Sequence, residues 1–463
     1  MISVSGMRGI VGKDLTPELV ARHAAALGAW VRGNGATSVV LGRDARTSGE
    51  MFSRAAIAGF QSVGVDVIDV GVAPTPTVQM AVEYHHAGAG LILTASHNPI
   101  EWNALKFVGP DGIFLNAEAG AAVRKFAETG PTRADWSTVG SLTYDDGAIA
   151  RHLDAIFALP VVDVAAIRNR KFHVALDCVR GAGGPTMLAL FDRLDVRVSG
   201  INLEADGRFP REPEPIPENL GALGELVQQS GADIGMAVDP DVDRLALVDE
   251  TGRPIGEDYT LAVAARAVLA ATRRGAGAAP SQGAGAAPGQ GAEAAPVVVA
   301  NLSTSLVVAD AVAEAGGRFV RAPVGEANVA RVIVEERALL GGEGNGGVIL
   351  PALHVGRDAP LGAALILQHL ALTGQRLSGV VAAAPRYVIV KAKAGRGGDL
   401  AALYQRLEAA FPDAERDRRD GLRLGWPDRW LHVRPSGTEP IVRLIAEAPS
   451  REEAEALVER ARG

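Results

Sequence analysis

The stretch Leu91-Ile92-Leu93-Thr94-Ala95-Ser96-His97-Asn98-Pro99 joins a short apolar run to an irregular polar segment. The apolar run predicts a buried strand, and the polar residues after it then lie at the carboxyl end of that strand. Open α/β sheets bind their ligands at this edge. The stretch therefore predicts an α/β fold in which Ser96 is presented where a ligand would bind.

The surroundings of Ser96 argue against acyl-transfer chemistry. No G-x-S-x-G elbow surrounds the serine, and His97 is the only basic residue beside it. A serine that carries a phosphoryl group fits better, provided that the chain also supplies a metal site and a phosphate-binding loop. His97 could orient the serine or serve only the hydrogen bonds of its own loop.

Helix-like and strand-like segments alternate along most of the chain. Thr16 before Pro17 predicts a helix start, and an apolar strand at residues 38–41 ends in a polar loop. The same order recurs from residue 172 and again from residue 297, which predicts three similar mixed-sheet α/β domains. The end of the chain carries strands around two helical stripes, the second opened by a capping box at Ser450, and predicts a smaller α+β domain.

The length of 463 residues exceeds that of one typical domain. We predict α/β domains at residues 1–148, 149–252 and 253–380, and an α+β domain at residues 381–463. Residues 275–295 contain only Gly, Ala, Pro, Gln and Ser apart from Glu293. Such a composition cannot bury enough apolar surface to offset its chain entropy, so it predicts a flexible surface insertion without chemistry.

Composition limits the classes of partner. The formal charge of −8 and the pI near 5.7 argue against nucleic-acid binding. Cys178 is the only cysteine, which excludes an intrachain disulfide and a thiolate metal cluster. No uncharged apolar run reaches the ~18 residues of a membrane span, and the amino terminus lacks a signal-peptide pattern. We therefore expect a cytoplasmic protein that binds small molecules, with neither a nucleic-acid nor a membrane partner.

The segment Asp239-Pro240-Asp241-Val242-Asp243-Arg244 places three carboxylates at alternate positions after an apolar run. Alternation with a proline bend can aim all three at one point, and oxygen ligands of this kind suit Mg²⁺. An EF-hand is rejected because Arg244 stands where the loop needs glycine, and because residues 245–248 read as a strand. A solvated acidic turn stays open as the alternative.

A second polar segment, Arg434-Pro435-Ser436-Gly437-Thr438-Glu439-Pro440, has the donors that a phosphate dianion needs. Arginine binds phosphate bidentately, two hydroxyls donate, and the glycine frees backbone N–H groups. A plain turn between two strands remains an equal alternative on this pattern alone.

The glycine-rich residues 341–347 carry Glu343 and Asn345, which suits close approach of a polyhydroxylated ligand. A glycine-rich turn with an incidental glutamate is the alternative.

Lys106 follows Ser96 closely enough to fold back over it, where it could neutralise transferred charge or move a proton. Lys106 and the glycine-flanked Arg8 could equally be solvated surface residues. The glycine clusters at residues 6–12 and 181–184 lack the dinucleotide spacing, so NAD binding is rejected.

Taken together and in this order, the segments TASHNP, DPDVDR, GGEGNGG and RPSGTEP resemble those of the α-D-phosphohexomutase family. The resemblance covers the chain apart from residues 275–295. It implies three related α/β domains and a smaller carboxyl-terminal domain around a central cleft. SGMRG, WNALKF and GEGNGG together look most like the phosphoglucosamine mutase branch, with phosphomannomutases and phosphoglucomutases as relatives.

The resemblance also implies a role for each candidate residue. Ser96 would be the phosphoserine, and its phosphate would complete a Mg²⁺ site formed by Asp239, Asp241 and Asp243. Lys106 and Arg8 would assist proton transfer and charge stabilisation, with His97 in the same catalytic group. The residues that would bind substrate are Arg244, Glu343, Asn345, Arg434, Ser436, Gly437 and Thr438.

The expected reaction is interconversion of glucosamine 6-phosphate and glucosamine 1-phosphate through a phosphoserine enzyme. A hexosamine 1,6-bisphosphate would serve as intermediate and activator, and phosphomannomutase or phosphoglucomutase activity is the alternative. Two departures bear on the substrate: Asn345-Gly346-Gly347 stands where many members have Ser-Gly-His, and Lys106 follows Asn-Ala-Leu rather than Asn-Gly-Ile. A non-catalytic sugar-phosphate sensor and a phosphatase are further alternatives, and the oligomeric state, monomer or dimer, stays open.

Overall fold

The computed structural model describes residues 2–3, 6–275, 295–395, 399–435 and 441–462. Within these residues the chain forms four sheets, of which three are mixed and the fourth is antiparallel. The predicted fold class, three mixed-sheet α/β units followed by a smaller α+β unit, is confirmed. The exact domain boundaries stay a prediction. Residues 276–294 of the predicted insertion lie outside the described residues.

The first sheet carries the Ser96 loop. Its strands are β1 (Ile2–Ser3), β2 (Gly6–Ile10), β3 (Ser38–Arg43), β4 (Asp66–Val72), β5 (Ala89–Leu93), β6 (Trp102–Val108) and β7 (Leu142–Tyr144). Its helices are α1 (Pro17–Gly33), α2 (Gly49–Gln61), α3 (Thr75–Tyr84) and α4 (Ala117–Thr129). The spatial order is β1-β2-β6-β5-β3-β4-β7. Since β3 and β5 are parallel neighbours, the loops after them meet at one edge.

Helix α5 (Ala148–Ala158) leads into the second unit, whose sheet carries the aspartate cluster. The helices of this unit are α6 (Val164–Arg170), α7 (Gly183–Arg193) and α8 (Gly221–Ser230), and a 3-10 turn forms at Pro217–Asn219. The strands are β8 (His173–Asp177), β9 (Arg197–Ile201), β10 (Ile234–Val238) and β11 (Leu245–Val248). Strand β10 ends directly before Asp239, and β11 confirms the strand that argued against an EF-hand.

The third unit contributes the glycine-rich loop. Its helices are α9 (Asp258–Arg273), α10 (Leu306–Glu314), α11 (Glu326–Glu335), α12 (Ala359–Thr373) and α13 (Leu377–Ala383). Its strands are β12 (Val297–Asn301), β13 (Arg318–Ala322), β14 (Leu340–Glu343) and β15 (Gly347–Ile349). Strands β14 and β15 pair antiparallel, and Gly346 between them has a φ of +89°, which favours glycine.

The fourth unit is an antiparallel sheet with two helices among the described residues. The strands are β16 (Val388–Gly395), β17 (Glu415–Asp417), β18 (Leu422–Gly425), β19 (Trp430–Pro435) and β20 (Ile441–Ala448), and the helices are α14 (Leu400–Ala410) and α15 (Arg451–Arg462). Ser450 Oγ accepts a hydrogen bond from the backbone N–H of Glu453, as its predicted capping role requires. Arg434 and Pro435 lie in β19 rather than in the loop expected for them.

The apolar core fixes how the units meet. The second and third units share one continuous core, in which α12 is buried along almost its whole length. A helix that is apolar on all sides belongs in such a position. The fourth unit has a core of its own but contacts the third through buried polar groups, since Glu447 Oε2 accepts from both the Leu306 N–H and Trp430 Nε1.

Across the described ranges, none of the helices combines the length and the apolar character needed to cross a membrane. The cytoplasmic location stays a prediction.

Candidate active site

The loop after β5 holds Ser96 in an unusual backbone conformation. Ser96 has a φ of +49°, in the left-handed region that few non-glycine residues adopt. Its N–H donates to Thr94 Oγ1 at 2.9 Å, and that hydroxyl donates to Asp44 Oδ2 at 2.7 Å. Conformations of this kind persist when surrounding contacts enforce them, and they cluster at functional sites. The side chain of Ser96 is thereby turned toward the aspartate cluster.

Arg46 is the main support of this loop, and the motif analysis missed it. Its guanidinium is 1% exposed and donates to four backbone carbonyls, those of Ser96, Asn98, Pro99 and Trp102, at 2.7 to 2.9 Å. Its Nε also donates to Asp44 Oδ2 at 3.1 Å. Its position in the sequence could have indicated this role. Residues 44–46 directly follow β3, and β3 is the parallel neighbour of β5, which ends before the Ser96 loop.

The three aspartates converge as their spacing predicted. One carboxylate oxygen from each of Asp239, Asp241 and Asp243 lies within 4.8 Å of the others, and all three residues are fully buried. Val242 between them has a φ of +62°, which is rare for a β-branched residue. Ser96 Oγ donates to Asp239 Oδ2 at 2.8 Å. The structure thus joins the serine to the aspartate cluster across 143 residues of sequence.

The cluster fits a hard divalent cation. Thr75 Oγ1 and Lys106 Nζ both donate to Asp241 Oδ2 at 2.7 Å, while Asp241 Oδ1 is buried without a hydrogen bond. Asp243 Oδ1 is also buried without a hydrogen bond, and Arg244 Nε lies 3.7 Å from it. Buried carboxylate oxygens are normally hydrogen-bonded, so two that are not, in one cluster, fit a bound cation. An all-oxygen donor set of this kind is what Mg²⁺ prefers.

Burial and mutual repulsion shape the charges of the cluster. Burial raises the pKa of Asp239 well above its usual value, and the neighbouring charges of Asp243 and Asp241 add to the shift. Burial acts on Asp241 in the same direction, but the ammonium of Lys106 outweighs it and lowers the pKa of Asp241. The cluster therefore needs positive charge beside it.

Lys106 and Arg8 lie on neighbouring strands beside the serine. Lys106 stands on β6 and Arg8 on β2, and both line a cavity of about 400 Å³ together with Ser96, Arg244 and Arg357. Burial favours loss of the Lys106 proton, but Asp241 and Asp243 outweigh it and raise the pKa of the ammonium. Arg8 donates to Asn98 Oδ1 at 2.8 Å. These cations surround the space where a phosphoryl group on Ser96 would lie.

His97 is held as a neutral imidazole. Burial, together with the nearby cations Arg244 and Arg8, lowers its pKa to about 2. The imidazole is therefore uncharged at neutral pH. Its Nδ1 is buried without a hydrogen bond, and its Nε2 lies 4.0 Å from Glu214 Oε1.

Replacement of His97 by asparagine should leave the pH dependence of the reaction unchanged between pH 6 and pH 9. The depressed pKa means that the histidine gains no proton as the pH falls through this range. The measurement is kcat/KM against pH for wild type and His97→Asn. A limb of the profile that moves by a full pH unit in the variant would show that His97 titrates during turnover.

The glycine-rich loop presents Glu343 in a fully bonded state. Its carboxylate accepts from Asn301 Nδ2 at 2.9 Å, the Gly325 N–H at 3.0 Å, Arg357 Nη1 at 2.9 Å and Asn345 Nδ2 at 3.3 Å. A sugar hydroxyl would have to share or replace one of these donors. The residues that donate to Glu343 line two different cavities. Arg357 lines the cavity beside Ser96, and Asn301 and Asn345 line a second cavity.

Arg434 lines that second cavity, which has a volume of about 480 Å³. Its Nε lies 3.1 Å from Asp420 Oδ2. Arg434 stands directly opposite Arg443 on β20, and Arg443 stands opposite Lys393 on β16. Like charges in opposed positions destabilise a sheet. An anionic ligand would offset the repulsion within this row of three basic residues. Ser436, Gly437 and Thr438, expected to hold the same phosphate, lie outside the described residues.

The chain matches one protein family over nearly its whole length. The matching models are phosphoglucomutase/phosphomannomutase alpha/beta/alpha domain I at residues 2–133, domain II at 150–252, domain III at 257–387 and the C-terminal domain at 387–463. The chain belongs to the phosphoglucomutase/phosphomannomutase family. As a phosphohexomutase it is an isomerase that transfers a phosphoryl group within a sugar phosphate.

Individual relatives agree with the family assignment. A phosphoglucomutase/phosphomannomutase from Thermococcus kodakarensis is 38% identical and aligns with 98% of this chain and 96% of its own length. A probable phosphoglucosamine mutase from Methanopyrus kandleri is 35% identical, with 98% and 95% covered. The structure of a phosphoglucomutase/phosphomannomutase family protein from Burkholderia thailandensis superposes with a TM-score of 0.83 at 27% identity, covering 100% of this chain and 97% of its own.

Proposed function

We propose that this phosphohexomutase interconverts glucosamine 6-phosphate and glucosamine 1-phosphate, with Ser96 as the phosphoryl carrier. The observation that carries the proposal is the hydrogen bond of Ser96 Oγ to Asp239, within the buried aspartate cluster and beside a cavity lined with cations. A nucleophile in direct contact with carboxylates that can hold a metal, with cations around them, suits phosphoryl transfer. Mg²⁺ held by Asp239, Asp241 and Asp243 would stabilise charge on the transferred group.

In the forward step, phospho-Ser96 donates its phosphoryl group to the free hydroxyl of the substrate. The bond from phosphorus to Ser96 Oγ breaks as the bond to the substrate oxygen forms. Lys106 and Arg8 are placed to neutralise the transferred charge. Lys106 Nζ can accept the hydroxyl proton only once its ion pair with Asp241 Oδ2 loosens, because that pair holds it as an ammonium.

The second cavity supplies the other half of the reaction. Arg434 and the neighbouring cations hold the phosphate that does not react, while Ser96 faces the opposite end of the sugar. The hexosamine 1,6-bisphosphate then turns around, and its original phosphate is transferred to Ser96. The bond from that phosphorus to the sugar oxygen breaks, and the sugar oxygen regains a proton. Each end of the sugar occupies each cavity in turn. Glu343 and Asn345 must therefore hydrogen-bond to the sugar hydroxyls in two orientations of the substrate.

An acidic side chain in the second cavity favours an amino sugar. Glu214 lines it together with Arg434, so a substrate with an ammonium and a phosphate would meet opposite charge at both groups. Burial raises the pKa of Asp258, which lines the same cavity, to about 8, so this carboxyl is largely uncharged at neutral pH. Relatives named as probable phosphoglucosamine mutases point to the same substrate. The relative named phosphoglucomutase/phosphomannomutase favours neutral hexose phosphates as the second candidate.

Comparing kcat/KM for glucosamine, glucose and mannose 1-phosphates tests the substrate. We expect the value for glucosamine 1-phosphate to be at least about tenfold higher, which corresponds to ~1.4 kcal/mol of transition-state binding. Glu214→Gln removes the acidic side chain that would attract the ammonium, so it should remove most of that preference and leave the glucose 1-phosphate value unchanged. Equal values for the three sugars in wild type would refute the amino-sugar assignment. Release of free phosphate without isomer formation would instead indicate a phosphatase.

A further inference from the structure

Arg357 is a buried cation near the site, yet it belongs to none of the four sequence motifs. Its side chain is 7% exposed and pairs with three carboxylates from different segments. Nη2 donates to Asp243 Oδ2 at 2.5 Å, Nη1 to Glu343 Oε2 at 2.9 Å, and Nε to Glu326 Oε2 at 3.1 Å. One planar group therefore joins the aspartate cluster to the glycine-rich loop.

The contact with Asp243 leaves a particular oxygen available. Arg357 occupies Oδ2, and Oδ1 of the same carboxylate is buried without a hydrogen bond. A fixed guanidinium on Oδ2 thereby sets the rotation of the carboxylate and the direction in which Oδ1 points. Groups that hydrogen-bond to a metal-binding side chain fix its orientation, and they thereby influence the affinity of the site for the metal.

Gly347 makes room for this arrangement. A Cβ at Gly347 would lie 2.2 Å from Cδ of Arg357 and 2.8 Å from its Cγ. Gly347 does not have a positive φ, so the backbone conformation at this position is one that other residues can adopt. The need for glycine here is spatial, because any side chain at this position would occupy the path of Arg357.

We propose that Arg357 is a positioning residue that couples the metal site to sugar recognition, and that Gly347 is required to admit it. The inference deepens the proposed function and rests on the metal site within it. Because the three nitrogens of a guanidinium are rigidly connected, a shift of Glu343 toward a sugar hydroxyl moves the group that orients Asp243. Occupancy of either site then favours occupancy of the other.

Two variants of the full-length chain test the coupling. Arg357→Lys keeps the charge but loses the rigid fork, and Gly347→Ala keeps Arg357 but crowds it. Gly379→Ala is the matched control, because a Cβ there meets nothing within 4 Å. The affinity for MgCl₂ is measured by calorimetry without turnover, with and without glucose 6-phosphate, and thermal unfolding verifies that each variant is folded.

We expect both variants to bind Mg²⁺ about tenfold or more weakly and to lose the tightening that glucose 6-phosphate produces in wild type. The Gly379→Ala control should behave as wild type. Unchanged Mg²⁺ affinity in both folded variants would overturn the role of Arg357 and leave the metal site intact. Weaker Mg²⁺ binding with the sugar effect retained would also overturn the coupling. Absence of Mg²⁺ binding to wild type would overturn the proposed metal site itself.

Discussion

Replacing Ser96 by alanine should lower kcat by on the order of 10⁴-fold or more, since enzymes that lose their nucleophile keep only residual catalysis from binding. The variant should remain folded, because the change removes a single side-chain hydrogen bond to Asp239, worth about 1–2 kcal/mol. The readouts are isomer formation and the intact mass after incubation with glucose 1,6-bisphosphate. Wild type should gain one phosphate and Ser96→Ala none.

Ser62→Ala is the matched control for that experiment. Ser62 lies in the same unit, and its hydroxyl donates to the carbonyl of Gly59 at the end of α2. Its loss should leave both turnover and phosphate incorporation at the wild-type level. Turnover of Ser96→Ala at the wild-type rate would refute the phosphoserine mechanism, whatever the substrate.

Replacing Arg46 by alanine should destabilise the chain by about 3–5 kcal/mol, the usual cost of removing one partner of a buried ion pair. The carboxylate of Asp44 would be left without its buried counter-charge, and four carbonyls of the Ser96 loop would lose their donor. We expect kcat to fall by about 100-fold as well, since a displacement near 1 Å at a reacting group can have that effect. Chemical denaturation and steady-state kinetics measure the two effects.

Arg54→Ala provides the comparison for Arg46. Arg54 pairs with Glu50 one helical turn away, but both side chains are mostly exposed. Exposed pairs of this type contribute a few tenths of a kcal/mol, so this variant should be close to wild type in stability and in activity. A loss of stability no larger in Arg46→Ala than in Arg54→Ala would contradict the supporting role of Arg46.

Local patterns were sufficient wherever neighbouring residues alone specify the structure. Thr16 Oγ1 accepts from the Leu19 N–H, and Pro17 opens α1, as the sequence predicts. The alternate aspartates do converge, because a strand end and a proline bend are local features. Motif spacing also named Lys106, which lies on β6 and reaches the cluster through Asp241. Reading the Arg434 segment as a loop was less accurate, since β19 extends through Pro435.

The contacts that organise the site depend on packing between units. Arg46 has no motif of its own, and it was found only when the parallel pairing of β3 with β5 placed it under the Ser96 loop. Arg357 is similar, since its carboxylate partners come from three segments that meet only after the second and third units share a core. Thr75 reaches Asp241 across 166 residues.

The sequence by itself determined the order of strands and loops, the acidic spacing that suits a metal, and the serine that suits a phosphoryl carrier. These features depend on backbone preferences and side-chain chemistry within a few residues. Only the tertiary structure decided which aspartate oxygens lack a hydrogen bond, which cation orients Asp243, and that Glu343 already accepts four hydrogen bonds. Such properties arise from burial. In a low-dielectric interior, charges interact more strongly over distance, and a missing hydrogen bond costs more free energy than it does in water.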